Sequence, residues 1–167
     1  MSEGISLLEL NTKIQESLKY DFPEESWVIA EISELKTNSN GHCYLELIEK
    51  DKLSDRIVAK NRATIWAYTF RMLKPYFENT TGQAFKEGIK IMVKISVEFH
   101  EIFGLSLNIK DIDPGYTIGD LLLKKNEIIK RLTDEGIISM NKELDMPIVL
   151  QKIAIISSST AAGYQDF

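Results

Sequence analysis

The alternation of apolar and polar positions indicates that much of this chain is β-structure. The clearest run covers residues 89–99, where every second side chain from Ile89 to Phe99 is apolar, and this predicts a long strand with one buried face. Shorter runs of the same kind predict four further strands, at 27–36, at 42–48, at 63–68 and from Leu105 to Asp113. The charged residues 50–62 are predicted to connect the second strand to the third.

Three stretches with helical spacing accompany these strands. Residues 6–9, Ser-Leu-Leu-Glu, fit a capping box, and the apolar positions that follow predict a helix over 6–20. A short helix is predicted over 70–77, between the third and fourth strands. After the fifth strand, a second amphipathic helix is predicted to begin with an N-cap within 117–120 and to end at Gly136.

The last part of the chain has a different pattern. Residues 153–156 form a continuous apolar run, which is typical of a buried parallel strand, and residues 157–163 are small and mostly polar. A βα unit begins with a strand and a turn of this kind. These residues therefore either pack on the earlier strands or open a second domain.

Five strands with a short helix between the third and the fourth form the element order of the OB-fold, a small Greek-key barrel. Periodicity alone does not distinguish this fold from another five-stranded barrel or an open sheet. The predicted class is mainly β with flanking helices. The predicted division is an N-terminal helix at 1–25, an OB-fold barrel at 26–115, a linker helix and loop at 116–150, and the first strand of a truncated α/β domain at 151–167.

Composition and charge agree with this division. The chain has 167 residues, of which 44% are apolar and 27% charged, enough for one globular domain plus the start of another. Its net charge is −5, but the first 25 residues carry six acids and two bases, a net charge of −4. The acidity therefore lies outside the predicted barrel and does not argue against an anionic ligand there.

The counts of cysteine and histidine exclude several kinds of site. The single cysteine, Cys43, excludes an internal disulfide and a metal cage built from cysteines. The two histidines, His42 and His100, belong to no cluster of acids at metal-ligand spacing. Because no apolar run approaches the roughly 20 residues of a membrane span and no secretory signal is visible, we expect a soluble, cytoplasmic protein.

Four short segments, taken in order, resemble signatures of one enzyme family. Residues 30–33 (Ala-Glu-Ile-Ser) and 41–47 (Gly-His-Cys-Tyr-Leu-Glu-Leu) resemble Gly-Glu-Ile-Ser and Ser-Gly-His-x-Tyr-Phe-x-Leu. Residues 134–137 (Asp-Glu-Gly-Ile) resemble Ala-Glu-Gly-Leu, and residues 155–162 with Asp166 resemble Val-Ile-Thr-Ser-x-Thr-Gly-Ala-Ala-x-x-Asp. The ordered set covers nearly the whole chain and is similar to the large subunit of exonuclease VII.

The resemblance implies an OB-fold domain that binds single-stranded DNA, followed by the beginning of a catalytic domain. The family hydrolyses single-stranded DNA to oligonucleotides without depending on a metal, and no cofactor is expected. Its large subunit works with several copies of a small subunit, which contact a C-terminal helical region absent here. Asp166 stands at the position of a family catalytic aspartate. The family's Gly-Gly-Gly and Gly-His-Glu motifs have no counterpart, so this chain alone is predicted to be inactive.

The chain departs from the family pattern at several places. Asn40 replaces the serine before Gly-His, and both residues suit a turn. Ala161 replaces a glycine, and the next glycine comes two residues later. Residues 143–147 (Glu-Leu-Asp-Met-Pro) replace a basic stretch, and residues 51–62 are longer than is usual for the family.

The candidate binding face follows from the fold class. OB-folds bind single strands on the face of their second and third strands and in the loops beside it, where rings stack on bases and cations hold the phosphates. The candidate nucleic-acid-binding residues are Lys36, His42, Tyr44, Arg62, Trp66, Arg71 and Phe103.

The directions of these side chains are not equally well predicted. Tyr44 is predicted to face outward, because Cys43 and Leu45 belong to a more convincing inward set. Trp66 is placed on the third strand with Tyr68, and its direction is left open. His42 either contacts the ligand or caps the turn made by the residues before it.

A second candidate site lies near the end of the chain. Ser158, Ser159 and Thr160 form a possible phosphate-binding loop, since backbone N–H groups at the start of a helix attract anions. The same residues also suit an ordinary helix cap. Three functions stay open: the DNA-binding part of a nuclease subunit, a stand-alone OB-fold protein that holds single strands, and a protein-interaction module.

Overall fold

The computed structural model describes residues 4–51, 53–144, 149, 156 and 157, and a closed five-stranded barrel lies within them. Its strands are β1 (Ser26–Thr37), β2 (Cys43–Lys50), β3 (Ile57–Ile65), β4 (Lys90–His100) and β5 (Gly104–Asp113). They follow the order β1-β2-β3-β5-β4, and β1 pairs with β4 to close the barrel. Every pair is antiparallel except the parallel pair of β3 and β5. This order confirms the predicted OB-fold class.

Alternate side chains of the strands fill the barrel. In β4, Ile91, Val93 and Ile95 point inward and are buried, as the alternation of residues 89–99 predicts. The other strands contribute Ala30, Ile32, Cys43, Leu45, Leu47, Ala63, Ile65, Leu107, Ile109 and Ile112 to the same core. Apolar contacts between the five strands therefore hold the barrel together.

Four helices lie within the described residues: α1 (Leu7–Asp21), α2 (Ala67–Thr81), α3 (Pro114–Asp134) and α4 (Ile137–Met140). The predicted capping box of α1 is confirmed. The Glu9 N–H donates to Ser6 Oγ at 3.1 Å, and the Ser6 N–H donates to the Glu9 carboxylate at 2.7 Å. In α2, Phe70 and Phe77 are buried in the barrel core.

The prediction for the third strand was wrong at both ends. Residues 57–62 are not a connection but the first part of β3, paired with β2. All six are exposed, so no alternation of apolar and polar residues marks them. At the other end β3 stops at Ile65, Trp66 is the N-cap of α2, and Tyr68 lies on α2.

Two helix boundaries also differ from the predicted ones. The helix predicted over 70–77 extends over all of α2, with Pro75 inside it. The linker helix α3 begins at Pro114 rather than within 117–120. Proline suits the first helical turn because the N–H it lacks has no partner there. The strand predicted at 153–156 lies, apart from Ile156, outside the described residues.

The chain divides into two compact units, Met1–Lys125 and Asn126–Phe167. The barrel, α1 and α2 all belong to the first unit. No helix in the described part of the chain is long and apolar enough to cross a membrane.

Candidate nucleic-acid interface

A groove of about 750 Å³ runs over the outer face of the barrel in the first unit. Its floor and walls are lined by residues of α1, of all five strands and of the loop between β4 and β5. The residues that line it are Gln15, Leu18, Lys19, Glu34, Lys36, Tyr44, Leu45, Glu46, Arg62, Ala63, Thr64, Trp66, Val97, Glu98, Phe99, His100, Phe103, Gly104, Leu105, Ser106 and Asn108.

Strand pairing sets polar and aromatic side chains in one row across this groove. Lys36 pairs with Tyr44, Tyr44 pairs with Thr64, and Thr64 pairs with Asn108. Neighbouring strands lie about 4.8 Å apart. The row therefore places a cation, a ring, a hydroxyl and an amide at steps of about 4.8 Å across four strands.

Three aromatic side chains in the groove are available for stacking. Tyr44 is 44% exposed, Trp66 46% and Phe103 77%. The outward direction of Tyr44 is confirmed, because its neighbours Cys43 and Leu45 are buried in the core. The question of Trp66 is answered too: its ring is half exposed and lines the groove.

The groove has mixed charge. Its cations are Lys19, Lys36 and Arg62, and its acids are Glu34, Glu46 and Glu98. Hydrogen bonds from Lys60 (2.6 Å) and Ser33 (2.9 Å) hold the pKa of Glu46 below its ordinary value. Glu46 therefore stays ionised, and the neighbouring Lys60 balances its charge.

His42 and Arg71 do not line the groove. His42 is half-buried, and its Nδ1 accepts a hydrogen bond from the Ala67 N–H at 3.0 Å, which caps the start of α2. Its ring also meets Trp66 edge-on at 5.0 Å. Arg71 lies on α2 and borders a smaller cavity of about 300 Å³.

The turn before His42 explains the Gly-His pair. Gly41 has a φ of +82°, in the left-handed region that favours glycine. A Cβ atom there would also meet the Ala67 side chain at 3.4 Å. The His42 N–H is held by the Asn38 side chain at 2.9 Å, so the turn and the start of α2 are fixed together.

Helix α1 supplies a part of the groove that the sequence pattern does not indicate. The Asn11 amide donates to the Glu101 carbonyl and the Gln15 amide to the Phe99 carbonyl, both at 2.8 Å. These bonds attach α1 to the β4–β5 hairpin and bring Leu18 and Lys19 to the groove. The amphipathic pattern showed that α1 needs a partner surface, but it did not show which one.

Other predicted site residues lie outside the described part of the chain. These are Ser158, Ser159, Thr160 and Asp166. Among the described residues, no three His, Cys, Asp or Glu side chains come together as metal ligands.

Comparison with known proteins gives the class of the protein. Residues 5–113 match the family described as "OB-fold nucleic acid binding domain". Among solved structures, the yeast mitochondrial single-stranded DNA binding protein Rim1 covers 56% of this chain and 93% of its own, at 16% identity and a TM-score of 0.38. The N-terminal domain of PriB from Thermoanaerobacter tencongensis covers 55% and 94%, at 14% identity and a TM-score of 0.35. The family match over residues 5–113 shows that the chain belongs to the OB-fold nucleic-acid-binding family.

Relatives found by sequence include large subunits of one enzyme. The exodeoxyribonuclease 7 large subunit of Deinococcus radiodurans is 33% identical over 167 residues, covering 98% of this chain and 40% of that protein. The subunit of the same name from Halalkalibacterium halodurans is 31% identical over 144 residues, covering 86% and 28%. The chain is thus related to exonuclease VII large subunits, as its ordered motifs predict, and it spans no more than 40% of the length of these two relatives.

Proposed function

We propose that the groove binds single-stranded DNA and that the chain is the DNA-binding part of an exonuclease VII large subunit. The observation that carries this proposal is the cross-strand row of Lys36, Tyr44, Thr64 and Asn108, set in a groove with two further exposed rings. Single strands bind by this combination of stacking platforms and cations. A duplex keeps its bases stacked on one another and offers none of their faces to Tyr44 or Trp66.

A salt titration of binding tests the proposal. Lys19, Lys36 and Arg62 line the groove, and each phosphate they neutralise contributes about −0.7 to the slope of log K against log salt. Three such contacts predict a slope of about −2, or binding roughly 20-fold weaker at 200 mM than at 50 mM salt. Fluorescence anisotropy of a labelled 15-nucleotide dT strand measures this, with a duplex of equal length as the weaker ligand.

Charge variants make the same experiment specific to the groove. Lys36→Gln and Arg62→Gln should each reduce the slope by about 0.7. Lys86→Gln removes an equal charge from an exposed residue outside the groove and should leave the slope unchanged. If no strand binds at 50 mM salt, the DNA-binding function is wrong and a protein-interaction module takes its place.

The nuclease activity of the whole subunit is the second part of the proposal. We expect the full-length protein to hydrolyse single-stranded DNA to oligonucleotides in the cytoplasm, together with a small subunit. The 167-residue chain alone should show no cleavage. A carboxylate such as Asp166 cannot act by itself, because the negative charge of the transition state needs positively charged groups to stabilise it. Incubation with end-labelled single strands checks this, and steady turnover by the purified chain would contradict it.

A further inference from the structure

We propose that Asn108 and Glu98 form a subsite in the groove that binds guanine in preference to other bases. This inference rests on the proposed function, since it concerns the same groove and the same ligand class. The buried carbonyl oxygen of Asn108 has no hydrogen-bond partner among the described residues.

Asn108 lies on β5 and is only 4% exposed, although it lines the groove. Its amide nitrogen donates to Glu98 Oε1 at 2.7 Å, and this bond fixes the orientation of the amide. Its carbonyl oxygen, Oδ1, is buried and accepts no hydrogen bond from the described residues. A buried acceptor without a partner is unfavourable and rare in folded proteins. Here a donor from a bound ligand would satisfy it.

Glu98 supplies a second acceptor beside the first. Its contacts with the described residues engage Oε1: Ser96 Oγ at 3.3 Å, Asn108 Nδ2 at 2.7 Å and Lys110 Nζ at 3.8 Å. Oε2 makes no hydrogen bond or ion pair with the described residues, and the half-exposed Glu98 side chain lines the groove. A carboxylate repels phosphate groups. The part of a DNA strand that meets Glu98 is therefore an N–H group of a base.

The row across the strands places this pair near the stacking rings. Asn108 pairs with Thr64, which pairs with Tyr44, so Asn108 and Tyr44 are two strand spacings apart, or about 10 Å. A base stacked on Tyr44 would thus be followed along the strand by one that reaches Asn108. Because Oδ1 is covered in the free chain, the group that covers it must move as that base enters.

Guanine is the base whose edge fits two acceptors. Its Watson–Crick edge carries two adjacent donors, N1–H and the N2 amino group. Adenine and cytosine each offer one donor beside an acceptor, and thymine offers one donor between two acceptors. Protein groups read unstacked bases by such edge contacts. Only guanine satisfies both oxygens without bringing a second acceptor against one of them.

Binding of three dT 12-mers tests the subsite. They carry dG, dA or dI at positions 4 and 8 only, are written dT/dG, dT/dA and dT/dI, and cannot pair with themselves; inosine lacks the N2 amino group. Lithium chloride buffer at low ionic strength prevents quadruplex formation by dG. The wild-type chain should bind dT/dG about tenfold more tightly than dT/dA, with dT/dI between them. The dT/dA strand is the right reference because both strands contain purines and stack similarly.

The variant Glu98→Gln distinguishes base reading from a structural role. Its amide oxygen still accepts from Asn108, but its amide nitrogen now presents a donor to the base. The dT/dG preference should disappear and dT/dA binding should improve severalfold. Glu49→Gln makes the same charge change on an exposed residue of β2 outside the groove and should keep the wild-type preference. Asn108→Ala, with its folding checked by circular dichroism, should lose the preference as well.

Each outcome supports or overturns a definite statement. Equal binding of dT/dG and dT/dA by the wild-type chain overturns the guanine subsite and leaves DNA binding in place. An equal change for all three strands in Glu98→Gln also overturns it, because a charge effect does not discriminate between bases. If none of the strands binds, the proposed function fails, and the subsite fails with it.

Discussion

Replacing Tyr44 and Trp66 together by alanine should weaken the binding of single-stranded DNA by about thirtyfold or more. Each ring is half exposed in the groove, and a base stacked on such a ring contributes about 1–3 kcal/mol. Two stacked bases therefore contribute at least about 2 kcal/mol. Fluorescence anisotropy measures the loss of affinity. All samples are measured at the same low salt concentration, so that the electrostatic contribution of the phosphate contacts stays constant.

Two controls separate stacking from folding in this experiment. Tyr68→Ala removes an exposed ring of α2 that lies outside the groove and should bind as the wild-type chain does. Tyr44→Phe keeps a ring in place and should retain most of the affinity. Because the Trp66 ring also contacts His42, which caps α2, the thermal midpoint of each variant is compared first. If the folded double variant binds DNA as tightly as the wild-type chain, Tyr44 and Trp66 do not stack on the bases.

Replacing Phe77 by alanine should lower the free energy of unfolding by about 3–5 kcal/mol. Phe77 is fully buried, and its ring packs edge-on against Phe85 at 5.4 Å within the core. The smaller side chain leaves a cavity that neighbouring strands fill only in part. Urea unfolding followed by circular dichroism gives the change.

The neighbouring Tyr76 is the matched control for this stability experiment. It lies one residue away on α2, and its side chain is half exposed. Tyr76→Ala should change the free energy of unfolding by no more than about 0.5 kcal/mol. If the free energy of unfolding falls by the same small amount in both variants, α2 does not contribute its buried face to the barrel core.

The strands that bury one face could be predicted, and the strand segment that buries neither could not. Residues 89–99 alternate because one side of β4 packs in the core. Residues 57–62 pair with β2, but every side chain there is exposed. Because neither face of this segment is buried, its apolar and polar residues do not alternate. The alternation of Thr64, Trp66 and Tyr68 misled the prediction because it continues by chance from the strand into the helix.

The candidate site divides in the same way. Tyr44 could be assigned to the outer face from its buried neighbours on the same strand. Asn108 could not be singled out, because it stands at an ordinary polar position of β5. Its place in the groove depends on a parallel pairing with Thr64, 44 residues earlier in the chain. The local sequence pattern indicates which face of a strand a residue occupies. Which residues of other strands lie beside it on that face depends on pairing between strands that are distant in the sequence.

The way the barrel closes has a consequence for how it forms. β1 pairs not only with β2 but also with β4, whose residues follow some 60 positions later. During synthesis, one edge of β1 therefore waits for its partner until β4 has been made, and β3 waits 44 residues for β5. Such distant pairings require the chain to lose conformational entropy on loop closure before the contacts between the strands stabilise it. The groove, whose floor requires β5, is thus among the last features of this chain to be assembled.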